Sequence, residues 1–303
     1  MNIGILGPGA IGGLLGCQLE KTKNKVFCFG TKDSNKLISQ NGICVMSELY
    51  GFKKYFPKTT LEEGELIQYL FLTVKGCYLK QALEEHRTNF NKNTVAISLL
   101  NGFGYREIIE KEFKNNFIIG SIGFVEALKD QRRRIVHKSR NKPHIEIASN
   151  NKKLIEDLKK IRKIIIKSRI NCEIIADENY LIWRKLIRLC TISTITSMSK
   201  STLGRARSSK KFKIIMESLV SELCLIASVM NMDFNKEEII KTINKLPENL
   251  RTSMQNDLEA NNSSEIEFIL GSPLKLGNSF NLDLPTMTYC YRSLKTPKSN
   301  FSS

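Results

Sequence analysis

The sequence lacks the features that mark metal-binding and membrane-spanning proteins. It contains three histidines, none at metal-ligand spacing, and its eight cysteines form no C-x-x-C pair, so we predict no metal site. The cysteines lie within apolar patterns, which is typical of small buried hydrophobic residues in a reducing compartment. No apolar run approaches the roughly 18 residues of a membrane span, and the chain opens on a strand pattern rather than a signal peptide. We therefore expect a cytoplasmic protein without a membrane segment.

Acidic residues are also scarce. The chain has 30 Asp and Glu against 47 Lys and Arg, which gives a formal net charge of +17. Such a charge would suit a nucleic-acid-binding protein. The basic residues are spread along the chain without interleaved aromatic residues, despite a local run at Arg132-Arg133-Arg134. We therefore favour a solvent-exposed basic surface, which still attracts anionic ligands such as a phosphorylated cofactor.

The N-terminal segment carries the clearest functional motif. An apolar strand pattern at Asn2–Leu6 leads into Gly7-Pro8-Gly9-Ala10-Ile11-Gly12 and then into a helical stretch. In a dinucleotide-binding fold Gly7 allows the tight turn, Gly9 the approach of a pyrophosphate and Gly12 close helix packing, and the helix N-terminus binds phosphate. Residues 7–12 are therefore predicted to bind a dinucleotide. The motif alone leaves NAD, NADP and FAD open.

The rest of the chain divides into an alternating part and a helical part. Strand and helix patterns alternate as far as residue 176, which is typical of a doubly wound parallel sheet. We predict an α/β fold with a Rossmann-type dinucleotide-binding domain at residues 1–176 and a mainly α-helical substrate domain at residues 177–303, whose last residues, 296–303, should fray. Further strands are predicted at Lys25–Phe29, Tyr69–Val74, Thr94–Leu100, Phe117–Gly120, His144–Ala148 and Cys172–Ile175, and helices at 154–167, 178–199, 210–230, 236–246 and in a stretch after Asn262.

The residue type at the end of the second strand indicates whether NAD or NADP is bound. An acidic residue there binds the ribose of NAD, whereas a basic residue suits the 2′-phosphate of NADP. The strand runs into Gly30-Thr31-Lys32 with no carboxylate at the expected position. Lys32, with Lys36 nearby, therefore favours NADP(H), and Thr31 and Lys32 are the candidate contacts to the nucleotide at this strand end. Asp33 keeps NAD open, and Lys32 could also be an ordinary solvent-exposed lysine.

Four later segments follow the glycine motif in a characteristic order. They are Thr73-Val74-Lys75 after the third strand, Leu99-Leu100-Asn101-Gly102-Phe103-Gly104 after the fourth, Trp183-Arg184-Lys185-Leu186 in the first helix of the helical part, and Ser253-Met254-Gln255-Asn256-Asp257 followed by Glu265. In this order and spacing, and over nearly the full length, the chain resembles the ketopantoate reductase (2-dehydropantoate 2-reductase) family.

The resemblance implies an NADPH-dependent reduction of ketopantoate to pantoate, on the way to pantothenate and coenzyme A. Hydride attack on a ketone places negative charge on its oxygen, so an ammonium that polarises the carbonyl and then donates a proton accelerates the reaction. The resemblance implies Lys185 as the general acid with Glu265 as the second catalytic residue, Asn101, Ser193 and Ser253 as substrate-binding residues, and Lys75, Asn101 and Glu265 as contacts to the cofactor.

Each of these residues also has a structural interpretation. Lys185 lies in a charged run that is typical of an exposed helix face. Glu265 follows Asn262 by three residues, the spacing of a helix cap, and Asn101-Gly102 could be only a turn pair. Lys75 and Ser253 could be a surface lysine and a helix hydroxyl. The common order and spacing of the segments favour the functional interpretation.

The helix after Lys185 departs from the family pattern. The family has asparagines four and eight residues after its lysine, on the same helix face, where this chain has Leu189 and Ser193. Leu189 offers no hydrogen bond and Ser193 only a short hydroxyl, so the preferred 2-oxo acid can differ from ketopantoate. A related 2-oxo acid or hydroxyacid reductase and a noncatalytic cofactor-binding protein of the same fold are the alternatives. The oligomeric state, including a homodimer, stays open.

Overall fold

The chain forms two compact units. The computed structural model describes residues 1–123 and 125–295, and the predicted frayed end at 296–303 lies outside them. One unit comprises residues 1–100 and 105–181, and the other comprises residues 101–104 and the chain from Ile182 onward. The short segment 101–104 therefore belongs with the helical unit, although it follows a strand of the first unit.

The first unit combines strands and helices in alternation. Its strands are β1 Asn2–Leu6, β2 Lys25–Phe29, β3 Ile43–Ser47, β4 Gly51–Tyr55, β5 Tyr69–Leu72, β6 Val95–Ser98, β7 Phe117–Gly123, β8 Ala127–Lys129, β9 Ile135–His137, β10 His144–Ala148 and β11 Asn171–Ile174. Its helices are α1 Ala10–Leu19, α2 Lys32–Asn41, α3 Leu79–Glu85, α4 Arg106–Phe113 and α5 Ile155–Lys167.

The main sheet has seven strands in the order β11-β10-β7-β6-β5-β1-β2. Strands β2, β1, β5, β6 and β7 pair in parallel, so the predicted α/β fold with a parallel-rich sheet is confirmed. Strand β10 pairs antiparallel with β7, and β11 runs parallel to β10. The expectation of a wholly parallel sheet is wrong for this pair, because no crossover helix separates β7 from β10.

A second sheet of four short strands was not predicted. Its order is β4-β3-β9-β8, with β3 and β9 parallel and the β8–β9 pair antiparallel. The sheet packs on α1: a Cβ at Gly13 would lie 2.2 Å from Ile135 Cδ1. This packing brings the β8–β9 hairpin close to the N-terminal turn of α1.

The core of the first unit explains why its strands read as continuous apolar runs. Every residue of β5 and β6 is buried, as expected for strands covered by helices on both faces. Helix α5 buries Leu158, Ile161 and Ile165 at intervals of three and four residues, so its apolar stripe covers one face of the sheet.

The second unit is helical. Its longest helix, α6 (Glu178–Ser199), begins in the first unit and contributes the fully buried Trp183. Helices α7 Leu203–Ser208, α8 Lys210–Val229, α9 Lys236–Asn244, α10 Ser253–Glu259, α11 Ser272–Ser279 and α12 Pro285–Lys295 follow, with a π-helical turn at Glu267–Gly271 directly before α11. None of the described helices has the length and apolar content of a membrane span.

One buried carboxylate joins two helices of this unit. Glu222 on α8 is 9% exposed, and its two carboxylate oxygens accept hydrogen bonds of 2.8 Å from the backbone N–H groups of Thr286 and Met287. These N–H groups belong to the first turn of α12, where a negative charge is favourable. Glu222 therefore fixes the start of α12 against α8.

The cysteines mostly match the expectation of small buried residues. Cys17, Cys28, Cys172, Cys190, Cys224 and Cys290 are buried, whereas Cys44 is half-buried and Cys77 is exposed. The expectation is wrong for Cys77, which lies in the 3-10 turn Gly76–Tyr78 rather than in a strand. Burial raises the pKa of Cys28 and of Cys190 to about 12, so these thiols are protonated at neutral pH and chemically inert.

Candidate functional site

The glycine turn after β1 is held by the end of β5. Gly7 has φ +89°, and a Cβ there would lie 2.5 Å from Val74 Cγ1. The hydroxyl of Thr73 donates to the carbonyl oxygens of Leu6 and Gly7, at 3.0 and 2.9 Å. A Cβ at Gly12 would lie 2.4 Å from the same hydroxyl. Both glycines are therefore required by this packing.

Gly9 has a different environment. Among the described residues, a Cβ there would have only Gly7 O within 4 Å, at 3.9 Å, so Gly9 leaves room for a group to approach the backbone. Gly9 is the N-cap of α1 and supplies no side-chain cap, and Ala10 and Ile11 are half-buried beside it. The first N–H groups of α1 can therefore bind an anion, and the turn from Gly7 to Gly12 fits the pyrophosphate of a dinucleotide.

The end of β2 is fixed by two side chains that the sequence did not single out. Gly30 N donates to Asn35 Oδ1 at 2.8 Å, and His86 Nε2 lies 2.8 Å from Gly30 O. Thr31 is the N-cap of α2, with its Oγ1 accepting from Ser34 N at 3.3 Å. The next two residues, Lys32 and Asp33, are exposed in the first turn of α2.

Lys75 lies just beyond the residues that hold the glycine turn. It is half-buried, and its backbone is extended, with φ −66° and ψ 144°, directly before the 3-10 turn Gly76–Tyr78. This places it at the carboxyl end of β5, the edge at which open α/β sheets bind ligands.

Asn101 and Glu265 meet in the helical unit although 164 residues separate them in sequence. Asn101 Nδ2 donates to Glu265 Oε2 at 3.5 Å, and the Glu265 residue is only 6% exposed. The next peptide reinforces the pairing, because Phe103 N donates to Phe268 O at 2.6 Å. The two segments are therefore held together by a side-chain contact and by a backbone hydrogen bond.

Gly102 makes this approach possible. Its φ is +91°, and a Cβ would lie 2.3 Å from Phe268 O. Phe268 belongs to the π-helical turn Glu267–Gly271, a rare geometry that occurs frequently at functional sites. Asn101-Gly102 is thus both a tight turn and the means by which Asn101 reaches Glu265.

The capping interpretation of Glu265 is wrong. No helix begins at Asn262, whose N–H instead donates to Asp257 O at the end of α10. The helical conformation resumes only at Ile266, after Glu265. Glu265 itself stands directly before this helical segment, where its backbone carbonyl accepts from Phe268 N and Ile269 N, and its carboxylate lies beside Asn101.

Lys185, Leu189 and Ser193 follow one another at four-residue intervals on α6 and share one face. Lys185 and Leu189 are half-buried, and Ser193 is fully buried. Leu189 packs against the hydrophobic core of the helical unit. The Ser193 hydroxyl has no hydrogen-bond partner among the described residues, which is costly unless a water or ligand supplies one.

Ser253 is the first residue of α10 and is exposed. The preceding Thr252 caps this helix by accepting from Gln255 N at 3.3 Å. The cap of α10 therefore does not depend on Ser253.

One charged group at the glycine turn carried no sequence signal. Lys129, the last residue of β8, donates from Nζ to Pro8 O at 3.0 Å. The strand is three residues long and pairs only with β9, so periodicity could not place it.

Within residues 1–123 and 125–295, a single group of side chains has the spacing of a metal site. The ligating atoms of His144, Glu146 and Glu173 lie within 4.8 Å of one another. His144 Nε2 is 3.6 Å from Glu146 Oε1 and 3.8 Å from Glu173 Oε2. These separations equally suit ion pairs with a protonated imidazole, so the prediction of no metal site stands as a prediction.

Comparison with known proteins shows which family the sequence matches. Residues 3–151 match the model of the ketopantoate reductase PanE/ApbA family, and residues 178–298 match the model of its C-terminal region. The chain is 20% identical over 302 residues to an uncharacterized oxidoreductase, YkpB, of Bacillus subtilis, covering 97% of this chain and 98% of that protein. It is 24% identical to a 2-dehydropantoate 2-reductase of Lactococcus lactis, covering 96% and 95% of the two chains.

Solved structures show the same fold. A D-mandelate dehydrogenase in ternary complex with NADH and anilino(oxo)acetate superposes with a TM-score of 0.88 at 20% identity, covering 97% of each chain. The two family models together span most of this chain, including the glycine turn, Asn101, Lys185 and Glu265. The chain therefore belongs to the ketopantoate reductase family of oxidoreductases.

Proposed function

We propose that the protein reduces a 2-oxo acid with NADPH, and that ketopantoate, reduced to pantoate, is its substrate. The observation that carries the proposal is the contact between Asn101 and the buried Glu265, in the same unit as Lys185. Three residues that the family resemblance assigns to one reaction thus lie in one structural unit. Family membership supports the reaction class.

The cofactor supplies a hydride when it is bound. The open space at Gly9 and the uncapped N-terminus of α1 suit its diphosphate, and the related D-mandelate dehydrogenase binds NADH. The roles of Pro8, Ala10 and Ile11 in the turn and of Lys75 beside it are part of this proposal. NADP rather than NAD is favoured by Lys32, whereas Asp33 favours NAD.

Residues of the chain would donate the proton to the substrate and would orient the substrate for hydride transfer. The Lys185 ammonium would polarise the substrate carbonyl and donate its proton to the oxygen as charge develops there. Glu265 and Asn101 would position the substrate through hydrogen bonds, and their mutual contact limits the rotation of both side chains. Ser193 and Ser253 would contribute hydroxyl contacts to the substrate.

A second candidate function is the reduction of an apolar 2-oxo acid. Leu189 stands on the Lys185 face where the family has an asparagine, and it joins an apolar cluster. The structurally similar D-mandelate dehydrogenase was solved with anilino(oxo)acetate, a carboxylate that carries an aromatic ring next to its oxo group. Steady-state NADPH oxidation with ketopantoate and with branched-chain and aromatic 2-oxo acids separates the two candidates.

Replacing Leu189 tests which side chain selects the substrate. We expect Leu189→Asn to raise the ratio of kcat/KM for ketopantoate to that for an aromatic 2-oxo acid by about tenfold, because the amide can bond to the ketopantoate hydroxyl. Leu189→Met, which stays apolar at similar volume, is the matched control. An unchanged ratio in Leu189→Asn would show that this position does not contact the substrate side chain.

Replacing Lys32 tests the choice of cofactor. We expect Lys32→Ala to raise the Kd of NADPH by about five- to tenfold and to leave that of NADH within twofold, because only NADPH carries the 2′-phosphate. Lys92→Ala, which removes an exposed lysine just before β6 in the same unit, is the control. Fluorescence titration of the reduced nicotinamide measures both constants. Equal weakening of the two nucleotides would contradict a 2′-phosphate contact.

The remaining expectations belong to the same proposal. They are a place in pantothenate and coenzyme A biosynthesis and a cytoplasmic location, while the oligomeric state, including a homodimer, stays open. The noncatalytic alternative instead requires nucleotide binding without turnover on any 2-oxo acid. If the basic surface served nucleic acid, salt-dependent retention on DNA or RNA would accompany that result.

A further inference from the structure

The β8–β9 hairpin places a cation at the glycine turn. Lys129 Nζ donates to Pro8 O at 3.0 Å, within the motif that precedes α1. An ammonium has three N–H donors, so this contact leaves donors for a second partner. The hairpin is part of the small sheet that packs on α1, and the position of Lys129 is therefore set by the fold.

The charges around Lys129 are unfavourable without an anion. Its pKa is lowered, first by desolvation of the ammonium against the turn and then by the nearby Arg133 guanidinium, although the residue as a whole is exposed. The neighbouring carboxylate of Asp130 is bonded instead to the backbone N–H and Nε of Arg134, each at 2.8 Å. The N-terminus of α1 adds positive potential at the same place.

Arg133 occupies a position that favours glycine. The hairpin closes through bonds from Asp130 N to Arg134 O and from Arg133 N to Asp130 O, both 2.9 Å. Arg133 has φ +60°, the left-handed conformation that glycine usually fills in such three-residue loops. The Arg132-Arg133-Arg134 run thus includes a charged residue in a costly conformation close to Lys129.

We propose that Lys129, which the β8–β9 hairpin positions beside the glycine turn, binds the diphosphate of the nucleotide cofactor. The inference rests on the proposed function, since it requires that the turn bind a dinucleotide. A phosphate oxygen in front of Gly9 would lie next to both the first N–H groups of α1 and the Lys129 ammonium. It would thereby offset the repulsion among the ammonium, the guanidinium and the helix dipole.

The test is the binding of nucleotides in the absence of substrate. We expect Lys129→Met to raise the Kd of NADPH and of NADH alike by about tenfold, because both carry the diphosphate. The dependence of Kd on salt concentration should also become less steep, since one phosphate contact with a cation is lost. Lys129→Arg should retain most of the affinity. Arg132→Met, which removes a cation from the same hairpin, is the matched control.

The possible outcomes distinguish a failure of this inference from a failure of the proposed function. A wild-type protein that binds neither nucleotide overturns the proposed function and the inference together. A wild-type protein that binds normally, with a Lys129→Met Kd within twofold of it, overturns only the inference. Weakening confined to NADPH overturns it too, because Lys129 would then contact the 2′-phosphate. If the Met variant melts early, Lys129→Gln takes its place, and an unchanged salt dependence shows a merely structural role.

Discussion

Substitution of Lys185 by alanine is expected to lower kcat by about a thousandfold, the range in which a general acid contributes to catalysis. The Kd of NADPH should stay within twofold, because the glycine turn and the end of β2 belong to the other unit. Stopped-flow measurement of a single turnover, together with fluorescence titration of the cofactor, separates the two quantities.

A control variant and a rescue experiment show that this result does not come from a loss of folding. Lys213→Ala removes an exposed lysine from α8 in the same unit and should leave kcat unchanged. Methylammonium added to Lys185→Ala should restore part of the activity in proportion to its concentration, since it supplies the missing proton donor. Turnover by Lys185→Ala at the wild-type rate would remove Lys185 from the mechanism.

The parts of the fold that local sequence determines were predictable. The glycine motif works through neighbours in the chain and one packed strand, and the structure shows the tight turn at Gly7 and the close contact at Gly12. The parallel strands were recognisable because strands buried on both faces are continuous apolar runs. Helix α5 was equally clear from its apolar period.

The small sheet was not predictable for a physical reason. Strands β8 and β9 have three residues each, too few to show a period of two. Strand β4 exposes Gly51 and Phe52, so it lacks the apolar pattern of a buried strand. These strands form because they pair with one another and pack on α1. Neither interaction produces a recognisable pattern in the local sequence.

The candidate site also combines features that the sequence indicated with features that only the tertiary structure shows. Local patterns allowed structural interpretations of Asn101 and Glu265, as a turn residue and a helix cap, and the order and spacing of the family segments favoured a functional one. The structure supplies what the sequence could not, a 3.5 Å contact across 164 residues. No local pattern marked Lys129 as a binding residue, so its contact with Pro8 became apparent only from the tertiary structure.

Substitution of Gly102 by alanine should damage both stability and catalysis. Alanine must adopt φ +91° and place its Cβ 2.3 Å from Phe268 O, so either the loop or the π-helical turn has to move. We expect a loss of about 3 kcal/mol in the free energy of unfolding, from backbone strain and overpacking together. Because the displaced loop carries Asn101, kcat/KM should fall by more than tenfold even where the protein is folded.

Gly64→Ala separates the two causes of this loss. Gly64 has a similar φ of +80°, but a Cβ there meets nothing within 4 Å, so the substitution adds only backbone strain, about 1 kcal/mol. Chemical denaturation of both variants, with kcat/KM measured at low temperature, gives the comparison. Equal destabilisation by the two substitutions would mean that the loop yields without disturbing Phe268. A normal kcat/KM in Gly102→Ala would show that the contact between Asn101 and Glu265 is not required for catalysis.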